Sequence, residues 1–163
     1  MANRSLSQLL ADWRQARQNM EKLKSDLPRI VGNESVKVVK DNFKLHGYDS
    51  GTGIKQWEQR SEKTNKSYDK RTGVKGTVYQ SSNPLLMQTR NLYNAIKYAI
   101  QTNTVTIGVD EGLIPYAKRM NEGGGGIPAR KFIPTDQPDG KILKRVTGKW
   151  NRERDKAMKI FKK

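Results

Sequence analysis

The sequence contains no cysteine and a single histidine, His46. Disulfides, thiolate metal sites and thiol nucleophiles are therefore excluded within the chain. A histidine-rich metal centre is excluded too, and any Ser/His/Asp arrangement would have to be built around His46 alone. Acidic residues are scarce: 16 Asp and Glu stand against 32 Lys and Arg, a formal net charge of +16 in 163 residues. No apolar run approaches the ~18 residues of a membrane span, and Met1 to Ser7 has no secretory apolar region. The composition points to no metal, no cofactor, no membrane and no enzyme, and to synthesis in a cytoplasm.

What is present is a chain long enough for one domain, or one domain with an arm. Its apolar share, about 39% counted with glycine and without tyrosine, is below the roughly 45–50% of ordinary soluble domains. A compact centre with loops or arms that order on a partner is expected. A basic chain suits nucleic acid, an acidic protein surface or anionic lipid. The charge is uneven: Lys141 to Lys163 holds ten Lys and Arg against Glu153 and Asp155, which is half of the net total.

Leu6, Leu9, Leu10, Trp13, Ala16, Met20 and Leu23 recur at three- and four-residue spacing, an amphipathic helix with Ser5 or Ser7 as N-cap. Pro28 suits the first turn of a second helix, whose stripe is Leu27, Ile30, Val31, Val38, Val39 and Phe43. Gly32-Asn33 is a place for it to kink or divide, and His46-Gly47 offers a stop. Residues 47–82 are poor in apolar side chains and read as a long basic loop anchored by Trp57 and Tyr79. Asn94 to Ile100 is ambiguous between helix and strand. Thr104 to Val109 is β-branched and alternating, a strand that a turn at Gln101 to Asn103 would pair with the preceding segment. Tyr116 to Met120 reads as a short helix ended by Gly123 to Gly126, and Arg130 to Ile133 as a further strand. Trp150, Ala157, Met158 and Phe161 mark one face of a basic terminal helix.

These elements predict an α+β fold, a small and mostly antiparallel sheet packed with helices, with N-terminal and basic C-terminal helical extensions. The chain divides into N-terminal helices (1–46), the loop (47–82), a sheet-containing core (83–135) and a helical arm (136–163), one domain overall.

No motif points to catalysis. Gly51-Thr52-Gly53-Ile54-Lys55 and Gly148-Lys149 lack the spacing of a P-loop. Gly123 to Gly126 has no dinucleotide fingerprint and reads as a flexible joint or as backbone that approaches a neighbour closely. Asp110-Glu111 could serve acid/base work, but adjacent acids after a strand more often form a polar turn. His46 at a helix end complements the dipole. The terminal helix has sharper readings. Lys144, Arg145, Arg152, Arg154, Lys156 and Lys159 could contact phosphates, or could surround a Trp150/Phe161 face that docks on an acidic partner.

One stretch is more specific. Leu85-Leu86, Thr89-Arg90-Asn91-Leu92, Val105-Thr106-Ile107-Gly108, Tyr116-Ala117, Asn121-Glu122-Gly123 and Ile127-Pro128-Ala129-Arg130-Lys131-Phe132 follow one another in an order that resembles the phage virion morphogenesis family. These are the tail completion proteins of contractile-tailed phages such as P2 and Mu, related to head–tail joining neck proteins. Phe43, Gly53 and Trp57 extend the match upstream, so that it covers residues 36 to 133, about 60% of the chain. Two steps depart from the family pattern: Thr-Gly-x-Leu is here Thr89-Arg90-Asn91-Leu92, and His-Gln before the glycine is here Met120-Asn121-Glu122. The motif positions Trp57, Leu92, Gly108, Tyr116, Ala117, Gly123, Pro128, Ala129, Arg130 and Phe132 include no reaction centre. Arg130 is expected to fork onto a carboxylate or a carbonyl, and Phe132 to enter the core. Tyr116 and Ala117 are expected to pack the short helix on the sheet.

The resemblance implies a structural protein that completes the tail or joins it to the head, found in the virion at the neck or tail end. It implies self-association into a ring such as a hexamer, docking to tail, neck or connector proteins, and DNA contact in the channel as a further option. The alternative from composition alone is a stand-alone nucleic-acid-binding protein. A phage nuclease or lytic hydrolase would need a carboxylate cluster that the sequence does not display.

Overall fold

The computed structural model describes residues 5–58, 86, 90–102, 104–134 and 140–162. Most of the expected loop over 47–82, with Tyr79, and the Leu85 and Thr89 positions of the family pattern lie outside the described residues.

Helix α1, Leu6–Leu45, begins with a reciprocal cap. Ser5 Oγ accepts from the Gln8 N–H at 3.3 Å while Gln8 Oε1 accepts from the Ser5 N–H at 3.0 Å. It ends at His46, whose φ of 52° and ψ of 35° are the left-handed values of a helix stop, with its N–H turned back to the Asn42 and Phe43 carbonyls. Forty residues make α1 about 60 Å long.

The sequence predicts two helices meeting at Pro28, and a single helix is found. Pro28 removes the donor that would serve the Lys24 carbonyl, which ordinarily kinks or ends a helix. Here one buried stripe continues on both sides of it, from Ala16 and Leu23 to Val38, Val39 and Phe43, and the packing along that stripe holds the axis. Gly32-Asn33 does not divide the helix either. A Cβ at Gly32 would run into the Tyr98 ring, so this position seats that ring.

Strands β1, Gly47–Asp49, and β2, Ile54–Gln56, form an antiparallel hairpin with Gly47 opposite Gln56. Gly51 turns it with φ 92°, and its N–H donates to Asp49 Oδ1 at 2.9 Å. A Cβ there would lie 2.7 Å from the Lys141 backbone nitrogen, so the Gly51 turn is the seat on which the last helix starts.

The ambiguous stretch resolves as helix α2, Asn91–Ala95, running into strand β3, Ile96–Gln101. β3 pairs antiparallel with β4, Thr104–Val109, from Ile96 opposite Val109 to Gln101 opposite Thr104. The alternation of Thr104 to Val109 thus gives the expected hairpin. Helix α1 packs across this hairpin. Arg90 precedes α2 with φ 56° and ψ 4°. A non-glycine residue in this left-handed region costs roughly 1–2 kcal/mol. It stands at the very step where the family pattern has glycine. Arg90→Gly is therefore expected to raise stability by about 0.5–1 kcal/mol in urea denaturation, the rest being lost to glycine's freedom when unfolded.

Helix α3, Ala117–Glu122, is stopped by Gly123, and all four glycines from Gly123 to Gly126 have positive φ. Arg119 Nε donates to the Gly124 carbonyl at 3.1 Å, and Gly124 pairs with Ile127. The run is a tight loop folded around the Arg119 guanidinium, the close-approach reading of the two that the sequence allows.

Arg130 to Ile133 is not a strand: residues 128–132 are irregular and a bend follows at 133. No neighbouring strand meets this segment among the described residues, and polar clamps serve its backbone instead. Asn121 Oδ1 accepts from the N–H groups of Phe132 and Ile133 at 2.9 and 3.0 Å. Asn42 Nδ2 donates to the Phe132 carbonyl at 3.1 Å, and Trp57 Nε1 to the Lys131 carbonyl at 2.8 Å.

Helix α4, Gly140–Ala157, lies along α1 with Ile142 buried, and a 3-10 turn follows over Lys159–Lys162. The fold is α+β, with two two-stranded antiparallel sheets among the described residues. No helix among them is long and apolar enough to cross a membrane. The core gathers Val39 and Phe43 from α1 with Trp57, Leu92, Ile96, Ile114, Ala117 and Phe132.

Candidate docking surfaces

Four of the family-pattern positions, Trp57, Leu92, Ala117 and Phe132, meet in that core around Phe43. Trp57 stands edge-on to Phe43 with ring centroids 5.6 Å apart, and Phe132 lies at 5.1 Å. Arg130 is buried; its Nε donates to the Glu58 carbonyl at 3.2 Å and its backbone N–H to the Met120 carbonyl at 2.8 Å. One guanidinium N–H thus meets a carbonyl, one of the two kinds of acceptor the sequence allows. Gly123 caps α3, and Ala129 packs against it, since a Cβ on Gly123 would meet Ala129. Pro128 and Gly108 are half-buried, and nothing crowds Gly108. Tyr116 departs from expectation. Ala117 faces the core, but Tyr116, one position before the helix, turns outward.

The basic residues of α4 divide into two sets. Arg145 faces inward, its Nε donating to Glu34 Oε2 and its Nη1 to Asp41 Oδ2, both at 2.9 Å. Glu34 and Asp41 are seven residues apart on α1, two turns along one face, so that a planar guanidinium spans both. Lys37 closes the cluster on Glu34 Oε1 at 2.7 Å. Lys141 pairs with Asp49 and fastens the start of α4 to the first hairpin. Lys144, Arg152, Arg154, Lys156 and Lys159 are exposed. Arg154 pairs with Asp155 and Lys156 with Glu153, and Lys149 also reaches Glu153. Trp150 and Phe161 are half-buried. Phe161 meets Trp13 edge-on at 5.5 Å, so the end of α4 leans on the start of α1.

Burial pushes the Glu34 carboxyl up, but the hydrogen bonds and charges of Lys37 and Arg145 outweigh it and hold the group below the ordinary carboxylate range. The Lys141 hydrogen bond, with the Gly51 N–H, likewise lowers Asp49. A group lowered in the folded state contributes stability above its unfolded pKa and loses it as pH falls through the folded one. Thermal melts followed by circular dichroism are therefore expected to be level from pH 8 to 6 and to drop below about pH 4.5. Arg145→Ala should flatten that acid limb.

Between α1, the β3–β4 hairpin and α4 lies an apolar cleft of about 1090 Å³, lined among others by Leu27, Val31, Val105, Ile142 and Val146. Ser35 is on its wall, buried, and its Oγ has no hydrogen-bond partner among the described residues. An unsatisfied buried hydroxyl costs about 1–3 kcal/mol. Ser35→Ala is expected to stabilise the fold by about 1 kcal/mol and raise the melting temperature by about 2–4 °C. A lower melting temperature would mean that the hydroxyl is satisfied.

Sequence spacing places Leu6, Leu9, Leu10 and Trp13 on the core-facing stripe of α1, but only the lower part of that stripe is covered. Ala16 and Leu23 are buried, whereas these four are exposed, Trp13 by 61%. Beside Trp13 runs a second cleft of about 440 Å³ lined by Leu10, Trp13, Ala16, Met20 and Met158, with Arg14 and Arg17 at its sides. At the other end of α1, the turn after β4 puts Asp110 and Glu111 beside the exposed Leu113 and Tyr116. The sequence reading as a polar turn holds for Asp110, whose Oδ1 accepts from the Gly112 N–H at 2.9 Å. Among the described residues, no group of acidic, histidine or cysteine side chains is arranged to hold a metal ion. No protein family, curated protein or solved structure matches the chain.

Proposed function

We propose that the chain is a structural protein of phage virion morphogenesis, which completes the tail or joins it to the head by self-association and docking. The observation that carries this reading is Arg90. Its left-handed backbone is the conformation that the glycine step of the family pattern would supply without strain, so that local geometry agrees with the resemblance even where the residue does not. The uncovered apolar side chains at both ends of α1 also suit a protein whose surface is finished by neighbours. Electron microscopy of particles made with and without the protein tests the reading. Filled heads and unjoined tails, or tails of aberrant length, are expected in its absence; normal infectious particles would refute it.

Nucleic-acid binding is the second reading, favoured by Lys144, Arg152 and Lys159, which are exposed on or just beyond α4 and have no ion pair among the described residues. On that reading, affinity for duplex DNA falls steeply with salt, with a log–log slope of about −0.9 per phosphate contacted. A flat salt profile would remove it.

A further inference from the structure

The two uncovered apolar surfaces carry charged side chains of opposite sign. The cleft beside Trp13 is concave, apolar and flanked by Arg14 and Arg17, neither of which has an ion pair among the described residues. The turn after β4 carries the exposed acids Asp110 and Glu111. Ile114 is buried in the core, and its N–H and that of Leu113 both donate to the Asp110 carbonyl, at 2.9 and 3.1 Å. This anchored turn thrusts Leu113 outward, 69% exposed, with Tyr116 beside it and with Glu111, which has no cationic partner among the described residues.

Within one copy these surfaces do not meet. The turn packs by Ile114 and Ala117 near Val39 and Phe43, while the cleft opens around Ala16. That separation is 23 residues of continuous helix, about 35 Å. A chain with a net charge of +16 repels its own copies except where an acidic patch meets a basic one. Pairing the cleft with itself would set Arg14 and Arg17 against their own kind, so a two-fold contact through this face is disfavoured.

We infer that Leu113 and Tyr116 of one copy seat in the cleft beside Trp13 of a second copy, with Asp110 and Glu111 facing Arg14 and Arg17. The inference rests on the self-association reading and names its surface. Because each copy offers both halves on different faces, the contact is head-to-tail and propagates into a ring or a filament.

The absence of cysteine makes the test direct. Leu9→Cys, one helical turn before Trp13, marks the cleft end of α1 and Pro115→Cys the turn, and both side chains are exposed. The two preparations of the full chain are mixed at about 100 μM and treated with a short bismaleimide. Mixed dimers are expected about tenfold above the dimers formed by either preparation alone. Glu111→Arg in the turn copy, or Arg14→Glu with Arg17→Glu in the cleft copy, should each cut the yield about fivefold, and combining them should restore it. No excess of mixed dimers, or reversals without effect, would overturn the inference. Sedimentation of the unmodified chain separates the two levels. Oligomers without the cross-link leave self-association standing through another face, whereas a monomer at every concentration together with no cross-link removes both.

Discussion

Replacing Phe43 with alanine is expected to lower stability by about 4 kcal/mol, within the range measured for burying and then deleting an aromatic ring in a core. Phe43 is completely buried, and its ring is the common neighbour of Trp57, Tyr93 and Phe132, the first two edge-on at 5.6 and 5.8 Å and the last tilted at 5.1 Å. Each aromatic pair adds about 0.5–1.5 kcal/mol to simple burial, so the cavity would also strand three rings. In a chain with few apolar residues, a loss of this size is a large fraction of the whole. Urea denaturation followed by tryptophan fluorescence gives the measurement. Phe43→Leu should lose only about 1–1.5 kcal/mol. If Phe43→Ala lost less than about 1 kcal/mol, the core would not be centred on this ring.

Arg145→Ala has the second largest expected effect, about 2 kcal/mol. The Glu34 side chain is only 7% exposed, and Arg145 provides one of its two ion pairs among the described residues as well as one to Asp41. Truncation leaves a buried carboxylate with Lys37 alone and removes the bridge between α1 and α4. Arg145 is itself partly exposed, and solvent screening keeps the loss below the range for a fully buried pair. The melting temperature should fall by about 4–8 °C. Arg145→Lys should recover less than half, because one ammonium cannot span two carboxylates two turns apart. Hydrogen exchange would show the loss as faster exchange along α4 than along the centre of α1; uniform acceleration would mean that the two helices are not separately fastened.

Features set by local chemistry were legible in the sequence. Ser5, one of the two N-cap candidates, caps α1, His46 stops it, and the β-branched run Thr104 to Val109 forms its strand. Features decided by distant partners were not. Pro28 has the local chemistry of a helix start, yet it sits mid-helix because packing on both sides outweighs one missing hydrogen bond. Arg130 to Ile133 has the composition of a strand, but the segment is held by side chains of Asn42, Trp57 and Asn121, up to 90 residues away. Charge counting treated the basic residues of α4 as one set, whereas Arg145 is committed to Glu34, 111 residues earlier. Periodicity likewise identified the apolar stripe of α1 without telling that Leu6 to Trp13 would be left uncovered. Spacing defines a face; only the fold decides what lies over it.

The unbroken course of α1 past Pro28 fixes more than a length. Each residue of a helix turns the next by about 100° and advances it by about 1.5 Å. The cleft at one end and the core that carries the acidic turn at the other are therefore locked in a definite rotational phase, as on a single shaft. One residue inserted between them would swing the two surfaces apart by more than a quarter turn, while seven would nearly restore their phase and only lengthen the shaft by about 10 Å. If copies associate head to tail, the same phase sets the angle at which each copy presents the next, and with it whether the chain of copies closes on itself or winds on as a screw.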